Sequence, residues 1–314
     1  MSKIHSSTFN SKIRILKGVF YLITLALLVH WCLLYIFKVS GYKEIGVWNE
    51  IISGNINASI VFVGSSRTSQ HFDTPWINEN GTKKSYNLGM DGSLFDLQYE
   101  RLKLYLNHNE SPSEIYIGVD IESFQRKNGI WNEWSFNHLL NQKGLFQVLK
   151  DYDDEFLLRK YLPLYAFAKM DKIVLLRILT DLVLKTGNYK NGYIPVNIHK
   201  TDELWDNSLI PSYFTIDEYY IRNLEKLVSL ALSVTDNVSL VYTPEHISAQ
   251  SIVRNRNEIL GIYKEIADDF GLEFLDYSHF SISKQSKYFY NSQHLNADGA
   301  RHFTKLFFKE IYKE

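Results

Sequence analysis

Apolar residues are spread unevenly along this chain. From Gly18 to Phe37 they run without a charge, GVFYLITLALLVHWCLLYIF. These are about 20 residues, which at about 1.5 Å each cover the ~30 Å hydrocarbon core of a bilayer. No polar face interrupts the run and His30 is its one group of the kind that titrates near neutral pH, so a membrane span fits it better than a buried helix of a soluble protein. Lys3, Lys12, Arg14 and Lys17 precede it. The positive-inside tendency therefore assigns residues 1–17 to the cytoplasm and everything after Lys38 to the far side, with Lys38 and Lys43 softening the asymmetry. The run exceeds the apolar region of a cleaved signal and no small-x-small site follows it, so an uncleaved anchor over 18–37 is expected.

Beyond a linker at 38–58 the pattern changes to short β-rich runs alternating with helical periodicity. This is the signature of parallel strands joined by crossover helices. Five strands are expected: Ser59–Val63, Ser85–Leu88, Glu114–Val119, Val238–Tyr242 and Glu273–Leu275. Amphipathic helices are expected over Leu94–Asn107, after the capping-box pattern Thr215-x-x-Glu218, over Ser248–Phe270 with a stop at Gly271, and from an Asn296 N-cap to the C-terminus. The fold class that follows is α/β: a three-layer α/β/α sandwich around a five-stranded parallel sheet, preceded by one transmembrane helix. Residues 125–211 break the alternation and read as a mostly helical insertion within the 59–314 domain, ending in the turn-rich TGNYKNGYIP stretch. Insertions after such strands can cover the site at the strand ends, so a lid or substrate platform is the expectation. Its aromatics, among them Trp131, Trp134, Tyr161 and Tyr165, have the faces for stacking on sugars, although helix packing is the commoner use of such rings.

Composition narrows the function. The 314 residues are 45% hydrophobic and 22% charged with a formal net charge of -1, which fits a sizeable core and offers no general attraction for nucleic acid. A single cysteine, Cys32, allows neither an internal disulfide nor a CxxC metal site. His246, His279 and Asp276 resemble scattered metal ligands, but no ligand motif joins them, so neither metal nor cofactor is expected.

Candidate chemistry gathers at the expected strand ends. Gly64-Ser65-Ser66-Arg67 follows the first strand, Asn87-Leu88-Gly89-Met90-Asp91-Gly92 the second and Gly118-Val119-Asp120 the third, while Asn291-Ser292-Gln293-His294-Leu295-Asn296 lies near the C-terminus. In a doubly wound sheet these loops converge on one crevice. A serine hydroxyl needs a base to accept its proton, and histidine suits that task near neutral pH, so Ser66 and His294 are the natural pair. The blocks GSSR, NLGMDG, IGVD and NSQHLNADGA, in that order, resemble those of the SGNH/GDSL esterases and acyltransferases, whose sheet is flavodoxin-like.

That resemblance implies several roles. Ser66 would be the nucleophile, the backbone N–H groups of Ser66 and Gly92 would hold the oxyanion, and His294 would move the proton, with Asn87, Arg67 and Asp120 beside the substrate. Two positions depart from the family. Asp120 stands where an asparagine usually donates to the oxyanion, and Asn291 stands where an aspartate usually orients the histidine. Asp120 is alternatively a partner of Arg67, and Asp276 is a second source for the missing carboxylate. The function implied is ester cleavage or O-acyl transfer, chiefly O-acetyl, on a cell-envelope carbohydrate or acylated small molecule outside the cytoplasm, with a membrane acyl-donor protein as a candidate partner. The rival expectations are an inactive member of the fold serving as a binding or assembly component, and a flavodoxin-like module in which Ser66 and His294 never meet.

Overall fold

A computed structural model of the protein describes residues 2–126, 129–185, 187, 189–198 and 210–312, residues 2–11 through their helical backbone. Residues 127, 128, 186, 188 and 199–209 of the expected insertion lie outside this set. The elements in chain order begin with helices α1 (Ser2–Val39) and α2 (Lys43–Ser53), strand β1 (Ile60–Val63) and helices α3 (Ser66–His71) and α4 (Thr74–Asn80). Next come β2 (Ser85–Asn87), α5 (Phe95–His108) and β3 (Glu114–Gly118). Four helices follow: α6 (Lys143–Tyr152), α7 (Glu155–Tyr161), α8 (Tyr165–Ala168) and α9 (Lys172–Leu184). The chain closes with α10 (Glu218–Leu232), β4 (Val238–Tyr242), α11 (Ile247–Gln250), α12 (Arg256–Phe270), β5 (Glu273–Asp276) and α13 (Ala297–Tyr312). It divides into two compact units, one of residues 1–40 and 133–185, the other of residues 41–132 and 186–314.

The larger unit is built on a five-stranded, wholly parallel sheet in the order β2-β1-β3-β4-β5, with Phe62 of β1 level with Asn87 on one side and Tyr116 on the other. This is the 2-1-3-4-5 order of flavodoxin-like sheets, and its direction of winding reverses at β1 and β3. Helices cover both faces, as a parallel sheet with apolar residues on both sides requires. Strand β1 is buried along its whole length. Helix α5 packs with α2 and α10, and α13 packs with α3 and α4. Under α13, Phe62, Phe72, Tyr116, Phe303 and Phe307 form an aromatic core, with the Phe62 and Phe72 rings stacked 4.2 Å apart.

Two helix starts differ from expectation. Helix α10 is capped by Asp217, which accepts from the Tyr219 N–H, rather than by Thr215. The expected 248–270 helix is broken before α12, because Ile252 and Arg254 pair with the backbone of Ser212 and the Asn255 amide pairs with that of Phe214. Gly271 ends α12 in the left-handed conformation, and the Asn296 side chain accepts from Gly299 N–H at the start of α13.

In the smaller unit, Lys12–Val39 of α1 is long and apolar enough to cross a membrane, and its apolar stretch is unburied. It packs with α9, while α7 packs with α6 and α8. The helices of the expected 125–211 insertion that belong to this unit occupy 133–185. From Lys190 to Val196 the chain hydrogen-bonds to residues of the sheet unit, Ile194 to Ser69 and Ala297 to Val196.

Candidate active site

Strand β1 ends at Val63 and the chain turns into α3, whose first residue is Ser66. Ser65 caps that helix by accepting from Arg67 N–H, leaving Ser66 at the helix start, where backbone N–H groups lack intrahelical partners. Helix α3 can sit this close to the sheet because Gly64 and Gly118 leave room for Thr68; a β-carbon at either would lie 2.0 Å from its hydroxyl. The β2 loop is tied to the β1 end by Met90 N–H donating to Gly64 O, and Gly92 follows in the left-handed region at φ +66.

His294 comes from the other end of the chain, on a loop closed by the Phe289–Leu295 bridge. The Ser66 Oγ lies 2.8 Å from His294 Nε2, and His294 Nδ1 lies 3.0 Å from Asn291 Oδ1. The same amide oxygen accepts from the backbone N–H groups of Gln293 and His294, which fixes which way the Asn291 amide faces. An oxygen facing Nδ1 can only accept, so Nδ1 carries the ring proton and Nε2 offers its lone pair to the serine. Asn291 thus sets the tautomer that an aspartate would set, without contributing a charge.

The histidine loop is held from behind. Leu295 N–H donates to Nε2 of the fully buried His71, so the His71 proton sits on Nδ1 and is given to Thr243 Oγ1 at 2.7 Å. Burial, then the Arg67 guanidinium and His294, hold the His71 imidazole well below its ordinary value, which keeps this neutral arrangement. Tyr290 stacks on His294 with ring centres 5.5 Å apart and donates its hydroxyl to Gln70, whose amide donates to Asp91. Burial raises Asp91, while the hydrogen bonds from Ser69 and Gln70 pull it the other way.

Asp120 does not take the place of an oxyanion donor. Its carboxylate accepts from Ser65 Oγ and faces Arg67 Nη1 at 3.4 Å. Arg67 is almost wholly buried, lies 4.5 Å over the Tyr242 ring, donates to Thr243 O and faces Glu245 as well. A buried guanidinium with two carboxylates is balanced charge, and here it locks α3 onto the ends of β3 and β4. An open cavity of about 480 Å³ lies over these groups, lined by Ser66, Gly92, Asp120, Glu122, Trp131 and His294 among others.

No family model matches the chain, and no curated protein does. Among solved structures, similar folds include the lipase/acylhydrolase from Enterococcus faecalis, at 15% identity over 81% of this chain and 95% of that one, TM-score 0.42. A GDSL-like lipase from Bacteroides thetaiotaomicron matches at 13% identity over 88% and 98%, TM-score 0.41. A catalytic mutant of an acetylxylan esterase from Geobacillus stearothermophilus matches at 12% over 81% and 94%, TM-score 0.41.

Of the expected site residues, Ser66, His294, Asn291, Gly92, Arg67 and Asp120 come together around the cavity. Asn87 does not. It is fully buried, its amide donating to Thr68 O and Phe72 O and its oxygen accepting from Gly89 N–H, so it shapes the loop without reaching substrate. Asp276 turns to Ser278 N–H, and the partner of His294 Nδ1 is Asn291. His246 caps α11 and meets Phe289 edge to face, and His279 is exposed. Among the described residues no cluster of three or more His, Cys, Asp or Glu is placed to hold a metal ion. His71, Gln70 and Tyr290 were missed by sequence reasoning. Their spacing carries no motif, and only the fold brings them to His294.

Proposed function

We propose that the sheet unit is a serine-dependent ester hydrolase or O-acyltransferase of the SGNH/GDSL type, acting on an O-acylated carbohydrate of the cell envelope. The observation that carries this reading is the Ser66 Oγ to His294 Nε2 distance of 2.8 Å, with Nδ1 held by Asn291. It also weighs against the module in which the two residues never meet.

The reaction would run in two steps. Ser66 Oγ attacks the ester carbonyl carbon as its proton passes to His294 Nε2, and the oxyanion forms against the N–H groups of Ser66 and Gly92. The imidazolium returns that proton to the departing alkoxide as the C–O bond breaks, leaving acyl-Ser66. Water or a sugar hydroxyl then attacks the acyl carbon, giving its proton to Nε2, and Ser66 leaves and recovers that proton. A carbohydrate substrate is supported by the family resemblance of the blocks and by Trp131, two-thirds exposed at the cavity beside Gly92 with a face free for a sugar ring. We place this unit outside the cytoplasm, anchored by α1 with its basic N-terminus inside.

A second reading is an inactive binder, favoured by the uncharged amide of Asn291 at His294 Nδ1 and by the engagement of Asp120 with Ser65 and Arg67. A fluorophosphonate separates the two. Covalent labelling of the folded protein that is abolished in Ser66→Ala supports the enzyme, and absence of labelling in folded wild type supports the binder.

A further inference from the structure

The smaller unit carries an apolar surface that the proposed chemistry does not use. Helix α9, KIVLLRILTDLVL, is apolar on two sides. Ile178 is fully buried within the unit, whereas Ile173, Leu176 and Val183, which fall on one stripe at three- and seven-residue spacing, are 61%, 59% and 81% exposed. Leu157, Leu158, Tyr161 and Leu162, at the end of α7, are exposed as well. Arg177 and Thr180 interrupt this stripe, yet most of the open side of α9 is apolar, and an exposed apolar helix face calls for an apolar medium.

Contacts within the unit fix the level at which this surface lies along α1. The backbone N–H of Leu164, just before α8, donates to His30 Nδ1 at 3.2 Å, and Phe167 packs its ring on both His30 and Phe37. His30 precedes Phe37, the last residue of the apolar run, by seven residues, or about 10 Å of helix. At the other end Ser40, just past the run, lies 3.3 Å from Asp181 of α9. If α1 spans the bilayer as proposed above, the α7–α8 junction sits about 10 Å below the outer edge of the hydrocarbon and Asp181 sits at headgroup level. The one histidine of the span then has a structural use, satisfying a backbone N–H that water cannot reach at that depth.

We infer that the helices of residues 155–184 are a second membrane-embedded element, packed on α1, with Leu158, Leu162, Ile173 and Leu176 in contact with the acyl chains of the outer leaflet. Lys169 is paired with Glu155 at 3.5 Å, while Lys172, Arg177 and Lys185 are exposed on or beside the same segment with stems long enough to carry the charge up to phosphate headgroups, which matches an anionic leaflet. Residues 155–184 thereby form a membrane-seated foot.

The test uses the full chain reconstituted in vesicles of phosphatidylethanolamine and phosphatidylglycerol. A nitroxide on the native Cys32, which is exposed on α1, reports the anchor. Nitroxides at Leu158→Cys, Ile173→Cys and Leu176→Cys, each in a Cys32→Ser background, report the foot, and one at the exposed Ser229→Cys on α10 reports water. Circular dichroism and the urea midpoint of each variant, matched to its unlabelled parent, confirm that the fold is kept. The expected result is an oxygen-to-nickel-chelate accessibility ratio at all three foot positions on the order of tenfold above that at residue 229, because hydrocarbon excludes the polar chelate. Foot positions as open to the chelate as residue 229, with Cys32 lipid-like, would overturn the inference and leave the anchor standing. Foot positions closed to both reagents would assign the surface to protein cover and overturn it too. A water-exposed Cys32 would overturn the anchor and the inference together.

Discussion

Replacing Asn291 by aspartate probes the one position at which this site has the geometry of a catalytic triad without its charge. The amide oxygen already accepts from His294 Nδ1 at 3.0 Å and from two backbone N–H groups, so Asn291→Asp keeps every acceptor and adds a negative charge beside the ring. With charge centres about 4 Å apart, attraction to an imidazolium is worth ~1 kcal/mol in water and ~4 kcal/mol at an effective dielectric of 20. The loop is half-buried, and desolvating the new carboxylate takes back part of the gain. A net transition-state stabilisation of about 1–3 kcal/mol is therefore expected, roughly a 5- to 150-fold rise in kcat/KM on a p-nitrophenyl ester. Because the tautomer is already correct, the change should be smaller than the ~10⁴ associated with losing an aspartate that also sets the tautomer. The acid limb of the pH–rate profile should move to higher pH, since the added charge favours the protonated ring. Folded Asn291→Asp protein with unchanged kcat/KM and an unshifted acid limb would refute the assignment of His294 as the general base.

Three further outcomes are expected. His294→Ala and Ser66→Ala should each reduce turnover by at least about 10³-fold, and the double variant should be no worse than either single one, as groups acting together require; multiplicative losses in steady-state kinetics would contradict this. His71 is neutral in the fold and near 6.5 in the unfolded chain, so below about pH 6.5 only the unfolded state takes up its proton and stability falls by up to about 1.4 kcal/mol per pH unit. Urea midpoints compared between pH 5 and 8 should therefore differ more in wild type than in His71→Gln. Trp131→Ala should raise KM for an acetylated oligosaccharide several-fold while leaving kcat for p-nitrophenyl acetate close to wild type, and equal effects on both substrates would remove the sugar-stacking role.

Much of the sheet was legible because each strand is a short β-rich run with a loop signal at its C-terminal end, and the parallel order then sets those ends on one rim. Ser66 and His294 stood out for the same reason, each lying in a polar block, Ser66 directly after an expected strand and His294 near the C-terminus. What stayed hidden depends on distant partners. Asn87 reads as a site residue because it follows a strand, yet its amide is consumed by Thr68 and Phe72 across the turn. Asp120 reads as a departure from an oxyanion donor, and only the arrival of Arg67 and Ser65 at its carboxylate shows what holds it. The helix expected over 248–270 has suitable periodicity throughout, but the backbone of Ser212 competes for residues 252 and 254. His71 lies in a six-residue helix with no motif, and its tie to Leu295 spans 224 positions of sequence.

The most direct measurement is acid-quench mass spectrometry of the protein after brief exposure to an activated acetyl ester. Wild type should carry one acetyl group on the peptide containing Ser66, Ser66→Ala should carry none there, and Asn291→Asp should accumulate and discharge it faster. A folded wild-type protein that never acquires the acetyl group, or acquires it equally in Ser66→Ala, would contradict a covalent route through this serine.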